Sequence, residues 1–220
     1  MHSIAENIKL IRSTLPEGVQ LLCVSKFHPA AAIQQAYDSG ERLFGESRVQ
    51  ELVGKHACLP QDIQWHFIGH LQTNKIRPIL PFVSLIHGVD SWHLMEAINR
   101  EAERIGRVVD VLLEVRVAQE QTKYGFLPDE LRDLLHSGKW KDLHYLKIRG
   151  LMGMASLTDN EEQIKREFSQ IRDIYDDLCL LLTDKQAKIL SMGMSDDYLI
   201  AVGCGSNLVR IGTNIFGSRE

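Results

Sequence analysis

An α/β fold of the closed (β/α)8, TIM-like type with one extra N-terminal helix is predicted, and three observations predict it. Eight short apolar runs rich in Val, Ile and Phe recur along the 220 residues. Segments of helical period lie between them without a low-complexity linker, the pattern of strands that pair in parallel through crossovers. The first run is followed by Ser25-Lys26-Phe27-His28-Pro29, which lacks the glycines of a dinucleotide-binding turn, so a barrel is favoured over an open doubly wound sheet. One domain over 1–220 is expected, because a chain of this length buries one sizeable core and is short for two.

Taken in order, Ser3 with Glu6 three residues on reads as a capping box. It opens an amphipathic helix over 3–14 with Ile4, Ile8 and Ile11 on one face. The apolar runs follow at 19–26, 42–47, 63–69, 83–90, 109–116, 145–155, 187–194 and 208–213. Between the first two, 29–39 places Ala32, Ile33, Ala36 and Tyr37 together and stops at Gly40, which takes a left-handed cap without strain. Ser91 opens a helix over 91–105 carrying Leu94, Met95, Ile98 and Ala102, and Gly106 ends it. A long helix over 159–182 aligns Ile164, Phe168, Ile171, Ile174 and Leu178, and a further helix should begin near Ser195.

Bulk properties narrow the function classes. A net charge of -4 with scattered Lys and Arg gives no basic surface, which argues against nucleic acid as a partner. Cys23, Cys58, Cys179 and Cys204 are far apart with no C-x-x-C pair, so neither a zinc site nor a disulfide framework is indicated. The N-terminal stretch carries charges through its apolar positions, and no segment approaches the roughly 18 apolar residues needed to cross a bilayer. A soluble, cytoplasmic chain in a reducing compartment is expected, without membrane partners and acting as a monomer.

The candidate chemistry starts at Lys26. It ends a strand, which in a barrel places it at the C-terminal mouth where active sites sit. Spacing alone leaves two readings open: a solvated lysine on the rim, or an amine desolvated enough to form a Schiff base with a carbonyl. Near the other end, Ser191, Gly193 and Ser195 follow the seventh strand, and Gly212 and Thr213 follow the eighth. These are the two loops from which barrels commonly build a phosphate site. Each residue also has an ordinary role as turn glycine, cap or strand-end hydroxyl. Arg210 lies inside an apolar strand; its partner is either a carboxylate such as Glu114 or Glu46, or a phosphate or pyridine nitrogen. Lysine, phosphate cradle and arginine together point to pyridoxal 5'-phosphate.

The segments VSKFHPAAAIQQAYDSGERLFGES (24–47), HFIGHLQTNK (66–75), KIRGLMGMA (147–155) and SMGMSDDYLIAVGCGSNLVRIGTNIFG (191–217) resemble the pyridoxal phosphate homeostasis protein family. That family is itself similar to the barrel domain of alanine racemase, and the resemblance runs from about Val19 to Gly217. It implies a cofactor held as a Schiff base on Lys26, with Ser191, Arg210, Gly212 and Thr213 falling where the family holds the phosphate. It further implies a role in intracellular vitamin B6 homeostasis with little or no catalytic turnover, and apo-enzymes as candidate recipients. Two positions depart from the common pattern. Ser47 replaces an asparagine after Gly45-Glu46, which puts the ring-side hydrogen bond from this cofactor-binding position in question, and Arg116 stands where an asparagine is frequent.

His66 and His70 could pair on a metal only within one helix, and Gly69 argues against that. His70 is expected to line the pocket and Asn74 to cap or bond backbone, while Lys123 is a second lysine near the mouth. Two other activities stay open: pyridoxal phosphate-dependent amino-acid racemisation and a cofactor-free Schiff-base aldolase. A racemase needs a proton donor on each face of a planar carbanion, and Tyr124 is the one tyrosine placed to serve. With the sequence ending at Glu220 no lid domain is expected, which favours holding the cofactor over turnover.

Overall fold

Each of the eight predicted strands forms, and they pair in chain order around a closed ring. The computed structural model describes residues 3–118, 124–182 and 187–217. The strands are β1 (Gln20–Val24), β2 (Leu43–Glu46), β3 (Gln64–Phe67), β4 (Leu85–Val89), β5 (Val109–Arg116), β6 (Leu146–Met154), β7 (Ile189–Ser191) and β8 (Leu208–Ile211). All adjacent pairs are parallel, and β8 returns to β1 in the register Gln20↔Leu208 through Cys23↔Ile211. Closure leaves no unpaired sheet edge.

The helices are α1 (Ile4–Thr14), α2 (Ala30–Asp38), α3 (Val49–Cys58), α4 (Trp92–Arg104), α5 (Pro128–Ser137), α6 (Glu161–Leu181), α7 (Tyr198–Gly203) and α8 (Thr213–Phe216). The capping box at α1 is present: the Glu6 N–H donates to Ser3 Oγ at 3.3 Å and the Ser3 N–H to Glu6 Oε2 at 2.7 Å. Ile8 and Ile11 bury its apolar face, and Asn7 Nδ2 donates to the Ile215 carbonyl at 3.0 Å, tying the extra helix to α8. Ser91 caps α4 by accepting from Leu94 N at 3.3 Å.

One crossover departs from the expected alternation. Between β3 and β4 only a 3-10 turn, Thr73–Lys75, forms. Pro78 and Pro81 each lack the amide proton a helix interior needs, and Ile76, Ile79, Leu80 and Val83 are buried there without one. The helix expected near Ser195 begins three residues later, at Tyr198.

Two apolar layers result. The larger lies between sheet and helices, with Leu21, Cys23, Phe44 and Trp65 facing Ile33, Leu52, Ile98 and Phe168. The smaller is made of Leu85, Leu112 and Met152 with Met154 and Ile189 packed against it. Gly150 at φ 148 lets β6 run against β7: a Cβ there would sit on the Ile189 carbonyl oxygen. Among the described residues no helix is long and apolar enough to cross a membrane.

Candidate functional site

At the C-terminal ends of the strands a cavity of about 230 Å³ opens between the turn after β1 and the loops after β7 and β8. Lys26 and Val24 line it from β1 and its turn, Ser195 and Asp196 from the β7 loop, and Arg210, Gly212 and Thr213 from β8 and its turn. Ile68, Met152, Met154 and Met194 supply apolar walls. A larger cavity of about 440 Å³ lies at the opposite end, beside Trp140, Lys141, His144 and Lys147. Barrels place their chemistry at the other face.

The loop after β7 owes its shape to Gly193, at φ 92, where a Cβ would lie 2.7 Å from Ala201 Cβ and 2.8 Å from Tyr198 Cα. Asp197 Oδ1 accepts from Met194 N at 2.6 Å, and Asn214 Nδ2 donates to the Ser195 carbonyl at 3.0 Å, joining this loop to α8. Burial raises the Asp197 carboxyl above its ordinary range. His28 stacks on Phe216, centroids 5.0 Å apart, and closes the other side.

Arg210 is 4% exposed, yet it lines the cavity. Its guanidinium donates to the Ser191 carbonyl at 2.7 Å, to Ser191 Oγ at 2.8 Å and to the Gly153 carbonyl at 3.0 Å. Burial lowers its pKa to about 10, against the opposing pull of Asp197 and Glu114, so it stays a cation at neutral pH. Of the two carboxylates offered as alternatives for its partner, Glu46 is bound instead to Lys55 at 2.7 Å. Glu114 acts on Arg210 through its field.

Behind Arg210 runs a buried polar chain that sequence reasoning missed. Ser191 Oγ lies 3.4 Å from His87 Nδ1, and His87 Nε2 lies 3.0 Å from His66 Nδ1. Burial lowers His66 to about 4; burial first, then the charges of His66 and Arg210, holds His87 well below its ordinary value. Two neutral imidazoles can each give one proton and take one, so every link is satisfied. His87 was visible as a histidine inside the apolar run VSLIHGVD, but nothing in the sequence paired it with Ser191, 104 positions away.

Of the predicted site residues, Lys26, Arg210, Gly212 and Thr213 meet at the cavity. Ser191 is fully buried and touches the site through Arg210. Ser47, just after β2, lies outside the lining; a Cβ on Gly69 would sit on its carbonyl oxygen. His70 does not line the cavity as expected: its Nδ1 is 2.7 Å from Asp90 Oδ2 and its ring stacks on Tyr124 at 3.8 Å. Asn74 lies exposed in the 3-10 turn, and Arg116 ends β5 half-buried. Lys123 lies outside the described residues. Among those, no group of three or more His, Cys, Asp or Glu side chains could hold a metal.

An amine, a buried cation, hydroxyls, glycine-turn backbone and thioether walls around one cavity suit a flat ring carrying an aldehyde and a phosphate. The family model of the alanine racemase N-terminal domain matches residues 1–220. The chain is 34% identical to a pyridoxal phosphate homeostasis protein of Pasteurella multocida, over 99% of this chain and 98% of that one. The structure of PipY from Synechococcus elongatus superposes with a TM-score of 0.91 without pyridoxal phosphate and 0.89 with it bound. Both are 41% identical and cover 98% of this chain and 100% of theirs. An alanine racemase from Bartonella henselae shares the fold at a TM-score of 0.75 and 14% identity, the match covering 98% of this chain and 58% of the racemase.

Proposed function

The chain belongs to the alanine racemase N-terminal domain family and, within it, to the pyridoxal phosphate homeostasis proteins, and from that premise we propose that it binds pyridoxal 5'-phosphate as a Schiff base on Lys26. The observation that carries this reading is that Lys26, just after β1, and Arg210, Gly212 and Thr213, on and just after the neighbouring β8, line one cavity. When bound, the cofactor supplies an aldehyde and, in its pyridine ring, an electron sink.

Lys26 would hold the aldehyde carbon through a C=N bond, the two protons of a neutral amine leaving with the carbonyl oxygen as one water. Thr213 and Ser195 offer hydroxyls, and the first N–H groups of the turn at Gly212 have no partner within the helical turn they open. Arg210 contributes a fixed positive charge whose direction is set by Ser191 and Gly153. Met152, Met154 and Ile68, which line the cavity, would pack against the ring and keep water from it.

The mouth stays wet, since Met194, Asp196 and Thr213 are exposed. Exposure weakens electrostatic stabilisation of a developing carbanion but leaves a covalent bond and a phosphate grip intact. Storage and release of the cofactor within intracellular vitamin B6 homeostasis, with little turnover, therefore fits better than racemisation. The test is the spectrum of purified protein with pyridoxal phosphate. A visible band lost on borohydride reduction, a reduced adduct mapped to Lys26, and no band in Lys26→Ala are expected. A colourless protein, or an adduct on another lysine, overturns the assignment. Chiral analysis after incubation with single-enantiomer amino acids should show no interconversion; turnover of about 1 per second or faster would make it an enzyme.

A further inference from the structure

Next to the cavity, α3 carries a buried charge cluster. Lys55 Nζ donates to Glu46 Oε1 at 2.7 Å, to Glu51 Oε1 at 2.6 Å and to the Ser25 carbonyl at 2.8 Å, which uses all three ammonium protons. Ser25 Oγ donates to Glu46 Oε1 at 2.6 Å, and the Phe27 N–H donates to Glu51 Oε1 at 2.7 Å. Glu46 is fully buried and Lys55 is 7% exposed. Glu46 Oε2 has no partner among the described residues, and burial raises the Glu46 carboxyl above its ordinary range.

A cluster of this kind is a poor source of stability, because removing two carboxylates and an ammonium from water costs about what their attraction returns. Its geometry shows what it holds. The Ser25 carbonyl belongs to the peptide group entering Lys26, and the Phe27 N–H belongs to the peptide group leaving it. Both peptide planes of Lys26 are therefore anchored, one by Lys55 and one by Glu51. The turn needs anchoring: Phe27 has φ 69, left-handed for a residue with a bulky side chain and no glycine to relieve it. The Arg48 guanidinium over the Phe27 ring at 4.7 Å braces the same residue from outside.

We propose that Glu51 and Lys55, with Glu46 beneath them, are positioning residues that aim the Lys26 amine at the cofactor aldehyde. This inference rests on the Schiff-base reading above. The phosphate end of the cavity is built from β7, β8 and their loops and does not use this cluster, so the two ends separate experimentally.

The test compares wild type with Glu51→Ala, Glu51→Gln and Lys55→Met. Covalent capture is read as the fraction of pyridoxal phosphate that borohydride traps on Lys26. Grip at the phosphate end is read as the Kd of pyridoxine 5'-phosphate, which has no aldehyde. Glu51→Ala should cut trapping about tenfold or more, as expected for losing a hydrogen bond to a charged acceptor, and leave the pyridoxine 5'-phosphate Kd within about twofold. Glu51→Gln keeps an acceptor for Phe27 N and should recover most of the trapping. Lys55→Met should lose at least as much as Glu51→Ala; should it fail to fold, the partly exposed Glu51 carries the test. Trapping in Glu51→Ala equal to wild type overturns the proposal, and so does a parallel loss of both readouts. A wild type that is never trapped on Lys26 overturns the Schiff-base reading itself.

Discussion

Arg210 joins the polar interior of the barrel to the cavity. Replacing it with Gln leaves the Ser191 and Gly153 carbonyls short of a donor, so Arg210→Gln should lose about 2 kcal/mol or more of stability. It should also weaken cofactor retention about tenfold or more, while Lys139→Gln, on an exposed turn, stays within about 0.5 kcal/mol. Urea titration and dialysis against buffer check the two halves. His66 gives a pH signature. Its folded pKa of about 4 lies below the ordinary 6.5, so as pH falls the unfolded chain takes the proton first. The stability that depends on the neutral imidazole is complete above about pH 6.5 and is lost between 6.5 and 4, on the order of 3 kcal/mol. His66→Gln should flatten the fall of ΔG across that window; an unchanged slope would remove His66 as its source.

Among the elements, the seam between β7 and β8 carries both loops proposed to hold the phosphate, yet its ladder aligns one residue pair, Ser191↔Leu208. Two backbone bonds, Asn207 N to the Leu190 carbonyl at 3.1 Å and Arg210 N to the Gly193 carbonyl at 3.0 Å, flank that pair, and side chains add to them. Asn207 accepts from Leu190 N at 2.8 Å and donates to the Lys188 carbonyl at 2.7 Å, while Ser206 Oγ sits between the Leu190 and Met192 carbonyls. Asn207→Ala should cost about 1–3 kcal/mol and speed amide exchange in residues 189–193 ahead of the rest of the barrel. On the other side of β7, Gly150→Ala drives a methyl group into the Ile189 carbonyl and should cost on the order of 3 kcal/mol by urea unfolding. α3 was not singled out in the sequence because VQELVGKHAC mixes two inward-facing charges, Glu51 and Lys55, with its apolar positions. Those charges break the amphipathic pattern that marks a helix, and they are the ones that hold the turn bearing Lys26.

At the scale of the molecule, a ligand that binds only the folded barrel raises its stability by mass action. Pyridoxal phosphate at 100 times its Kd adds about 2.7 kcal/mol. For a chain of this size that corresponds to a melting temperature higher by roughly 5–10 °C. Pyridoxal without the phosphate should give a much smaller shift at equal concentration, because it forfeits the Arg210, Gly212 and Thr213 end; equal shifts would remove that end from the site.

The eight strands and the helix caps at Ser3 and Ser91 were legible because each rests on local periodicity or local capping chemistry, and Lys26 was set with the R-I-G-T turn by the barrel's strand-end rule and the family resemblance. Tertiary structure alone decided what surrounds them. Burial of Arg210 against Ser191, the His87–His66 chain behind it, the displacement of His70 to Asp90 and Tyr124, and the anchoring of Lys26 by α3 all join residues 9 to 104 positions apart. No local pattern encodes which side chains a closing barrel brings face to face: register around the ring sets those distances, and desolvation then sets which of them must be hydrogen-bonded.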